Sequence, residues 1–265
     1  FRPRRGRIQS LSILQRLIES GGTHPEGLYV LYIDLEQCFD RIPRRILWRA
    51  LRRRGLPKKF VKLLRDLYSN TRCRVRSEYQ YGEWFKVACG VRQGSVEGPI
   101  LANLYMDCMM RDVLRRCPQA GIRIHYRLDG RWLDSEDMTH EQRIACLMYA
   151  DDCAFIATSE SELQHPYDEL QEVFRRDGMH ISISKTEASV YRAWISPTAW
   201  LEPQVTHYDG TTVQENLAFK YLGQKKERQG AHAEVTARIN GPQSTWRLLK
   251  GTIFRRKCLP LELRI

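Results

Sequence analysis

Tyr149-Ala150-Asp151-Asp152 lies between two apolar runs, Ile144 to Tyr149 and Cys153 to Ala157. Short hydrophobic segments split by a two-residue break predict a β-hairpin, here with adjacent acids at its tip. Carboxylates held this close repel each other wherever the local dielectric is low. The pair persists most easily where a hard divalent cation neutralises it, and Mg²⁺ takes carboxylate oxygens. An isolated Asp-Asp would be an exposed acidic turn. Asp34 argues against that reading, because it ends another apolar strand, in Leu31-Tyr32-Ile33-Asp34-Leu35-Glu36-Gln37-Cys38-Phe39-Asp40. Three carboxylates, each at the edge of a hydrophobic strand, are what a two-metal phosphoryl-transfer site requires.

The charge balance points the same way. The chain has 43 Lys+Arg against 31 Asp+Glu over 265 residues, a net charge of +12. Basic residues are spread through it, in Arg2-Pro3-Arg4-Arg5, Arg52-Arg53-Arg54 and Arg255-Arg256-Lys257. A dispersed basic surface around a small acidic cluster suits a polyanion that must approach bound metals. The 8 cysteines form no CxxC pair and no His-Cys spacing suited to zinc, so they read as thiols in a reducing, intracellular compartment. No apolar run approaches the roughly 18 residues of a membrane span, so no membrane is expected as a partner.

Periodicity predicts a helix over 8–19 stopped by Gly21-Gly22, then a strand over 28–34. Helices follow at about 44–54 and after Pro57, the second with Phe60, Val61, Leu64, Leu67 and Tyr68 as its core face. Residues 71–91 alternate around Tyr81-Gly82, a hairpin signal. A helix over 100–117 turns Ile100, Leu101, Leu104, Tyr105, Cys108 and Met109 inward. The polar stretch 127–142, with Asp129-Gly130 as its turn, reads as an insertion. Ser159 to Glu162 forms a capping box for a helix to about Asp177. Strands are expected near 180–184, 187–192, 205–208 and 217–224, and a last helix near His232. The pattern is α+β, a catalytic body with a helical end piece.

With these residues in view, the chain resembles the reverse transcriptase domain of non-LTR (LINE-type) retrotransposons. Tyr32-Ile33-Asp34-Leu35 to Phe39-Asp40 resembles the family's first catalytic motif, and Gly90-Val91-Arg92-Gln93-Gly94 its nucleotide-pocket motif. Tyr149 to Asp152 resembles the "YADD" box, Gly178 to Glu187 the "GLxINxxKTE" segment, and Phe219-Lys220-Tyr221-Leu222-Gly223 the primer grip. Phe1-Arg2-Pro3 to Arg7 looks like the end of "GFRPGRST", so the chain reads as a piece of a longer polyprotein. Each motif alone is weak; together, in family order, they are specific.

The resemblance implies a right-hand polymerase of fingers, palm and thumb, its antiparallel palm sheet flanked by helices. Residues 1–230 would hold fingers and palm, with fingers mainly in 1–28 and 41–95, and 231–265 would begin a helical thumb. It implies catalytic Asp34, Asp151, Asp152 and Lys185, with two Mg²⁺ ions on the aspartates and Asp152 in a supporting place. Lys185 would protonate the pyrophosphate leaving group. Phe39 would stand at the steric gate that rejects a ribose 2′-hydroxyl, and Gln93 and Gly94 would line the dNTP pocket. Arg5 and Arg7 would contact triphosphate or template, and Tyr221, Leu222 and Gly223 would form the primer grip. The implied partners are an RNA template, a DNA primer and dNTPs, and the implied place of action is the nucleus.

Some residues depart from the family. Glu97 puts a negative charge near the presumed triphosphate pocket, Pro166 falls inside a helix, and Gly241-Pro242 interrupts the presumed thumb. They motivate one alternative, a decayed or repurposed copy that binds nucleic acid without polymerising. Asn103-Leu104-Tyr105 also suits a group II intron-type reverse transcriptase, the other alternative.

Overall fold

The computed structural model describes residues 6–21, 27–77, 80–126, 140–191, 204–215, 218–222 and 224–227. The chain divides into two compact units, Phe1–Asn216 and Leu217–Ile265. The first is built on a five-stranded sheet of order β6-β7-β1-β8-β9. Its strands are β1 (Leu28–Ile33), β6 (Cys146–Tyr149), β7 (Asp152–Ala157), β8 (Glu187–Tyr191) and β9 (Gln214–Glu215). All neighbours run antiparallel except β8 and β9.

Strand β1 is central and buried along its whole length, which explains why its sequence is apolar without alternation. Tyr29, Leu31 and Ile33 join the main core, with Phe155 and Ala157 of β7 and Val190 of β8. Val30 and Tyr32 point to the other face and are buried as well. Helix α1 (Arg7–Gly21) packs on β1 and β6 and buries Leu11, Leu14 and Leu17 outside that core, so it covers the second face. On that face the Tyr32 and Tyr191 hydroxyls share a buried 2.8 Å hydrogen bond.

The first face is covered by helices. After the short α2 (Cys38–Arg41) come α3 (Arg44–Arg53) and α4 (Lys58–Ser69), then α5 (Glu97–Arg116) and α6 (Glu160–Asp177). Leu47 and Leu51 of α3, Leu101, Tyr105 and Met109 of α5, and Leu170 and Phe174 of α6 meet in one cluster. Two expected inward faces are narrower than periodicity suggests. On α4 only Val61, Leu64 and Tyr68 are buried, with Phe60 and Leu67 exposed, and Ile100 of α5 is exposed too. A helix lying on one neighbour buries a narrower stripe than an apolar count implies.

Helix α6 starts as its capping box predicts, with the Ser159 hydroxyl accepting from the Glu162 N–H at 3.3 Å. The Glu162 carboxylate turns back to accept from the Thr158 N–H (3.1 Å) and hydroxyl (2.8 Å). The helix runs through the buried Pro166 without a break. Pro166 therefore costs α6 one backbone hydrogen bond but not its continuity.

Elsewhere the expectations need correction. The predicted strand at 180–184 is a 3₁₀ turn, Ile183–Lys185, preceded by a single bridge between Leu35 and Ile181. Residues 71–91 contain a ribbon of β2 (Arg72–Cys73) and β3 (Phe85–Lys86), with a bridge from Arg76 to Tyr81, so it turns before Tyr81-Gly82. The edges of the expected insertion are ordered, since β4 (Ile122–Tyr126) pairs with β5 (His140–Ile144). Asp129-Gly130, Gly241-Pro242 and the expected helix near His232 lie outside the described residues. In the second unit β10 (Ala218–Tyr221) pairs with β11 (Gln224–Glu227), a strand that periodicity missed. Among the described residues no helix is long and apolar enough to cross a membrane. The described cysteines are unpaired, with Cys38, Cys108, Cys117 and Cys153 buried.

Candidate active site

The acidic hairpin forms as expected. Tyr149 pairs with Asp152, leaving Ala150 and Asp151 as a two-residue turn. Ala150 takes φ 56, a left-handed conformation that costs a residue with a Cβ about 1–2 kcal/mol. Asp151 is exposed at the tip, while Asp152 opens β7 and is half-buried. On the neighbouring strand, β1 ends with Ile33 opposite Cys153. Carried one residue further, that register sets Asp34 across from Asp152, so three acids gather at one end of the sheet.

Their electrostatics follow from the placement. Burial, then the charges of Asp151 and Asp34, push the Asp152 carboxyl up to about 6. Cys38 lies beneath the same site; burial first, then the Asp151 charge, raises its thiol to about 12, so it stays protonated. Lys185 puts Nζ 3.4 Å from Asp34 Oδ2. Among the described residues no cluster of His, Cys, Asp and Glu is drawn together tightly enough to count as a formed metal site. The donor chemistry still fits a hard cation: burial and the charges of Asp151 and Asp34 make Asp152 costly to ionise, and a divalent ion would remove that cost.

Backbone hydrogen bonds tie the Gly178–Glu187 segment to this end of the sheet. The Ser182 N–H donates to the Asp34 carbonyl at 2.9 Å, and the Glu36 N–H to the His180 carbonyl at 3.0 Å. These bonds carry the turn with Lys185 to Asp34. Gly178, at φ 79, ends α6 in the left-handed conformation and starts that segment.

The nucleotide-pocket motif is fastened to α2. The Gly90 N–H donates to the Ile42 carbonyl and the Val91 N–H to the Phe39 carbonyl, both at 2.8 Å. Gly90 has φ +75, and a Cβ there would sit 2.5 Å from the Asp40 carbonyl oxygen, so only glycine fits. Phe39 is half-buried against the core. Gln93 is exposed and donates from Nε2 to both Asp40 carboxylate oxygens, at 3.0 and 2.9 Å. Gly94 is also exposed, with φ +80 and open space where its Cβ would point.

Asp40 is the residue that sequence reasoning left without a task, although it stood inside the quoted Phe39-Asp40 pair. No periodicity could have linked it to Gln93. Glu97 also reads differently. It opens α5 and accepts from the Tyr68 hydroxyl at 3.1 Å. Its own backbone N–H holds it below the ordinary carboxylate range, with the Ser95 and Tyr68 hydroxyls and Arg92 adding. Its charge is matched to a helix N-terminus.

Not every candidate is placed. Arg7 begins α1 and is exposed; Arg5 and Gly223 lie outside the described residues. Tyr221 is buried and Leu222 takes φ 48 at the turn of the second unit's hairpin.

The model of the family described as reverse transcriptase (RNA-dependent DNA polymerase) matches residues 2–225. The chain belongs to the reverse transcriptase family. Its relatives include a Pol polyprotein from the type-1 retrotransposable element R2 of Nasonia vitripennis, 27% identical over 176 residues. That match spans 66% of this chain and 15% of the relative. A Pol polyprotein from the element R2DM of Drosophila melanogaster is 29% identical over 111 residues, 42% of this chain and 10% of the relative. This reverse transcriptase domain spans a small part of these relatives' length. A solved structure of apo telomerase from Candida tropicalis has the same α+β polymerase fold, with a TM-score of 0.51 at 16% identity. It covers 83% of this chain and 38% of that one. Enzymes of this family depend on divalent metal.

Proposed function

We propose that this domain is the RNA-directed DNA polymerase of a LINE-type retroelement, adding dNTPs to a DNA primer on an RNA template. The observation that carries the reading is the meeting of Asp34, Asp151 and Asp152 at one end of the sheet, with the Gly90–Gly94 segment bonded to the helix after Asp34.

In this reading Asp34 and Asp151 hold two Mg²⁺ ions and Asp152 supports them. When bound, the ions supply Lewis acidity to the primer hydroxyl and the triphosphate. The chain's own groups do the rest. Phe39, backed by the core, blocks a 2′-hydroxyl at the sugar. Gln93 and Gly94 present an open surface to the nucleotide. Lys185 is exposed, a cation able to deliver a proton to the leaving pyrophosphate once it lets go of Asp34. Arg7, with Arg5, reaches phosphate; Tyr221, Leu222 and Gly223 steady the primer; residues 1–230 make fingers and palm, and 231–265 begin a thumb. Action in the nucleus belongs to the same reading.

Two departures from the family do not weigh against catalysis. Glu97 is bonded to Tyr68, and α6 absorbs Pro166. The test is dNTP incorporation on a primed RNA template in Mg²⁺, with the domain extended at both ends, beside Asp151→Asn. Incorporation abolished by Asp151→Asn, with ribonucleotides refused, supports the proposal. Template binding without incorporation by the folded, extended protein overturns it in favour of a repurposed copy.

A further inference from the structure

The β2–β3 ribbon carries side chains that neither the core nor the carboxylate site uses. Arg74 lies with its guanidinium carbon 3.8 Å from the Tyr81 ring centroid and 4.7 Å from that of Trp84. Arg76 approaches the Tyr81 ring from 5.9 Å. Tyr81 is 56% exposed and Trp84 59%, unusual for large aromatic rings that already have stacking partners. A cleft of about 290 Å³ opens where the ribbon meets α3 and the end of α4. Arg65, Arg72 and Lys86 line it. Among the described residues none of these three has a carboxylate within ion-pair distance.

Arg44 lies in the same cleft but is committed elsewhere. It donates to the carbonyls of Tyr68 (3.0 Å), Val87 (2.8 Å) and Gly90 (2.9 Å), fastening the base of the ribbon to the Gly90 turn. The cleft therefore has a fixed floor and a cationic rim. Over residues 72–86 the sequence sets Arg72, Arg74, Arg76 and Lys86 against Glu78 and Glu83.

Exposed aromatic rings alternating with cations are the recurring design for unpaired nucleic acid. Bases stack on the rings and phosphates follow the cations, and a duplex cannot use the rings because its bases are already stacked. A protein partner would find the rings, but the unpaired cations beside them complement a polyanion. We propose that the β2–β3 ribbon and its cleft form a binding platform for single-stranded RNA. The Tyr81–Arg74–Trp84 stack takes a base, and Arg65, Arg72 and Lys86 take phosphates. The proposal rests on the polymerase reading only for the identity of the strand, which would be unpaired template.

The experiment is fluorescence anisotropy of a labelled single-stranded RNA of about 16 nucleotides, with the full chain in EDTA so that no metal-dependent binding contributes. Trp84→Ala and Arg74→Ala should each weaken binding by about ten-fold, within the range for loss of one stacked base. Lys86→Ala should lower the slope of log affinity against log salt by about 0.7, the value for one phosphate contact on a single strand. Arg49→Ala, an exposed cation on α3 that does not line the cleft, should change affinity by less than about two-fold, as expected for one diffuse surface charge. A blunt RNA duplex of equal length should compete more weakly. Circular dichroism and melting curves establish that the variants fold; all three mutated ribbon side chains are at the surface.

Affinity unchanged in Trp84→Ala and Arg74→Ala, or equal competition by the duplex, overturns the platform. So does loss of binding that is as large in Arg49→Ala. An extended protein with the expected binding pattern but no incorporation would refute the polymerase reading and leave this one standing.

Discussion

Gly90→Ala tests whether the nucleotide-pocket motif is held by close backbone approach. The new Cβ would meet the Asp40 carbonyl oxygen at 2.5 Å and the Asp40 carbonyl carbon and Cα at 2.8 Å. These are backbone atoms and cannot rotate away, so α2 or the turn must move. Alanine at φ +75 adds about 1–2 kcal/mol of backbone strain. Overpacking of a tight contact adds about 1–3 kcal/mol, for roughly 2–5 kcal/mol in all. At about 2–4 °C per kcal/mol for a domain of this size, the melting temperature should fall by roughly 5–15 °C. The displacement also loosens the Gly90–Ile42 and Val91–Phe39 hydrogen bonds, both 2.8 Å. Phe39 and Gln93 then lose their mutual register, so KM for dNTP should rise and discrimination against ribonucleotides weaken. Gly94→Ala is the control, because its φ of +80 carries the backbone strain while its Cβ direction is open. Melting temperature and steady-state incorporation would be measured for both. Equal losses of melting temperature in the two variants would show that φ alone matters. A Gly90→Ala protein that melts like the parent and keeps its KM would refute the close-approach argument.

Other perturbations separate the remaining contacts. Asp40→Asn removes the charge that Gln93 Nε2 meets at 2.9 and 3.0 Å. At this exposed site the loss is about 1 kcal/mol, so KM for dNTP should rise about five-fold with kcat nearly constant; a fall in kcat alone would refute the positioning role. Glu97→Gln removes a helix N-terminal charge bonded to Tyr68. It should cost about 0.5–1 kcal/mol of stability and leave incorporation unchanged, and a gain in dNTP affinity would show that Glu97 faces the triphosphate after all. His207 is buried and shares a 2.7 Å hydrogen bond with the Tyr167 hydroxyl. Burial lowers its pKa below 6.5, against a smaller opposing effect of Asp209. The folded state thus binds the proton less readily than the unfolded chain, and this contribution to stability is lost as pH falls below 6.5. Between pH 7 and pH 5 the parent should lose melting temperature relative to His207→Gln, because the protonation of Asp152, raised to about 6, stabilises both proteins alike.

What could be read from the sequence divides along a physical line. The hairpin at Ala150-Asp151, the buried strand before Asp34 and the capped start of α6 all depend on neighbours in sequence, and local pattern specifies them. Contacts between distant segments left no local signature. The Asp40–Gln93 bond, the Arg44 anchor and the Ser182–Asp34 bond join residues tens to more than a hundred positions apart. The errors come from the same source. Phe60 and Leu67 fit a helical stripe but lack a covering layer among the described residues, so they are exposed. The 180–184 segment has strand-like composition, yet its backbone hydrogen bonds go to the residues after β1 through a single bridge and a 3₁₀ turn. That turn brings Lys185 within ion-pair distance of Asp34, which a regular fifth antiparallel strand would have had no reason to do. An irregular backbone at this point thus serves the site. The left-handed Ala150 at the hairpin tip is a second case, where strain in the turn sets Asp151 beyond the last paired residues. Ala150→Gly would relieve that strain, and a more stable protein with slower incorporation would mean that the strained turn aims the carboxylate. Unchanged incorporation in a stabilised Ala150→Gly protein would show that the hairpin register alone is enough.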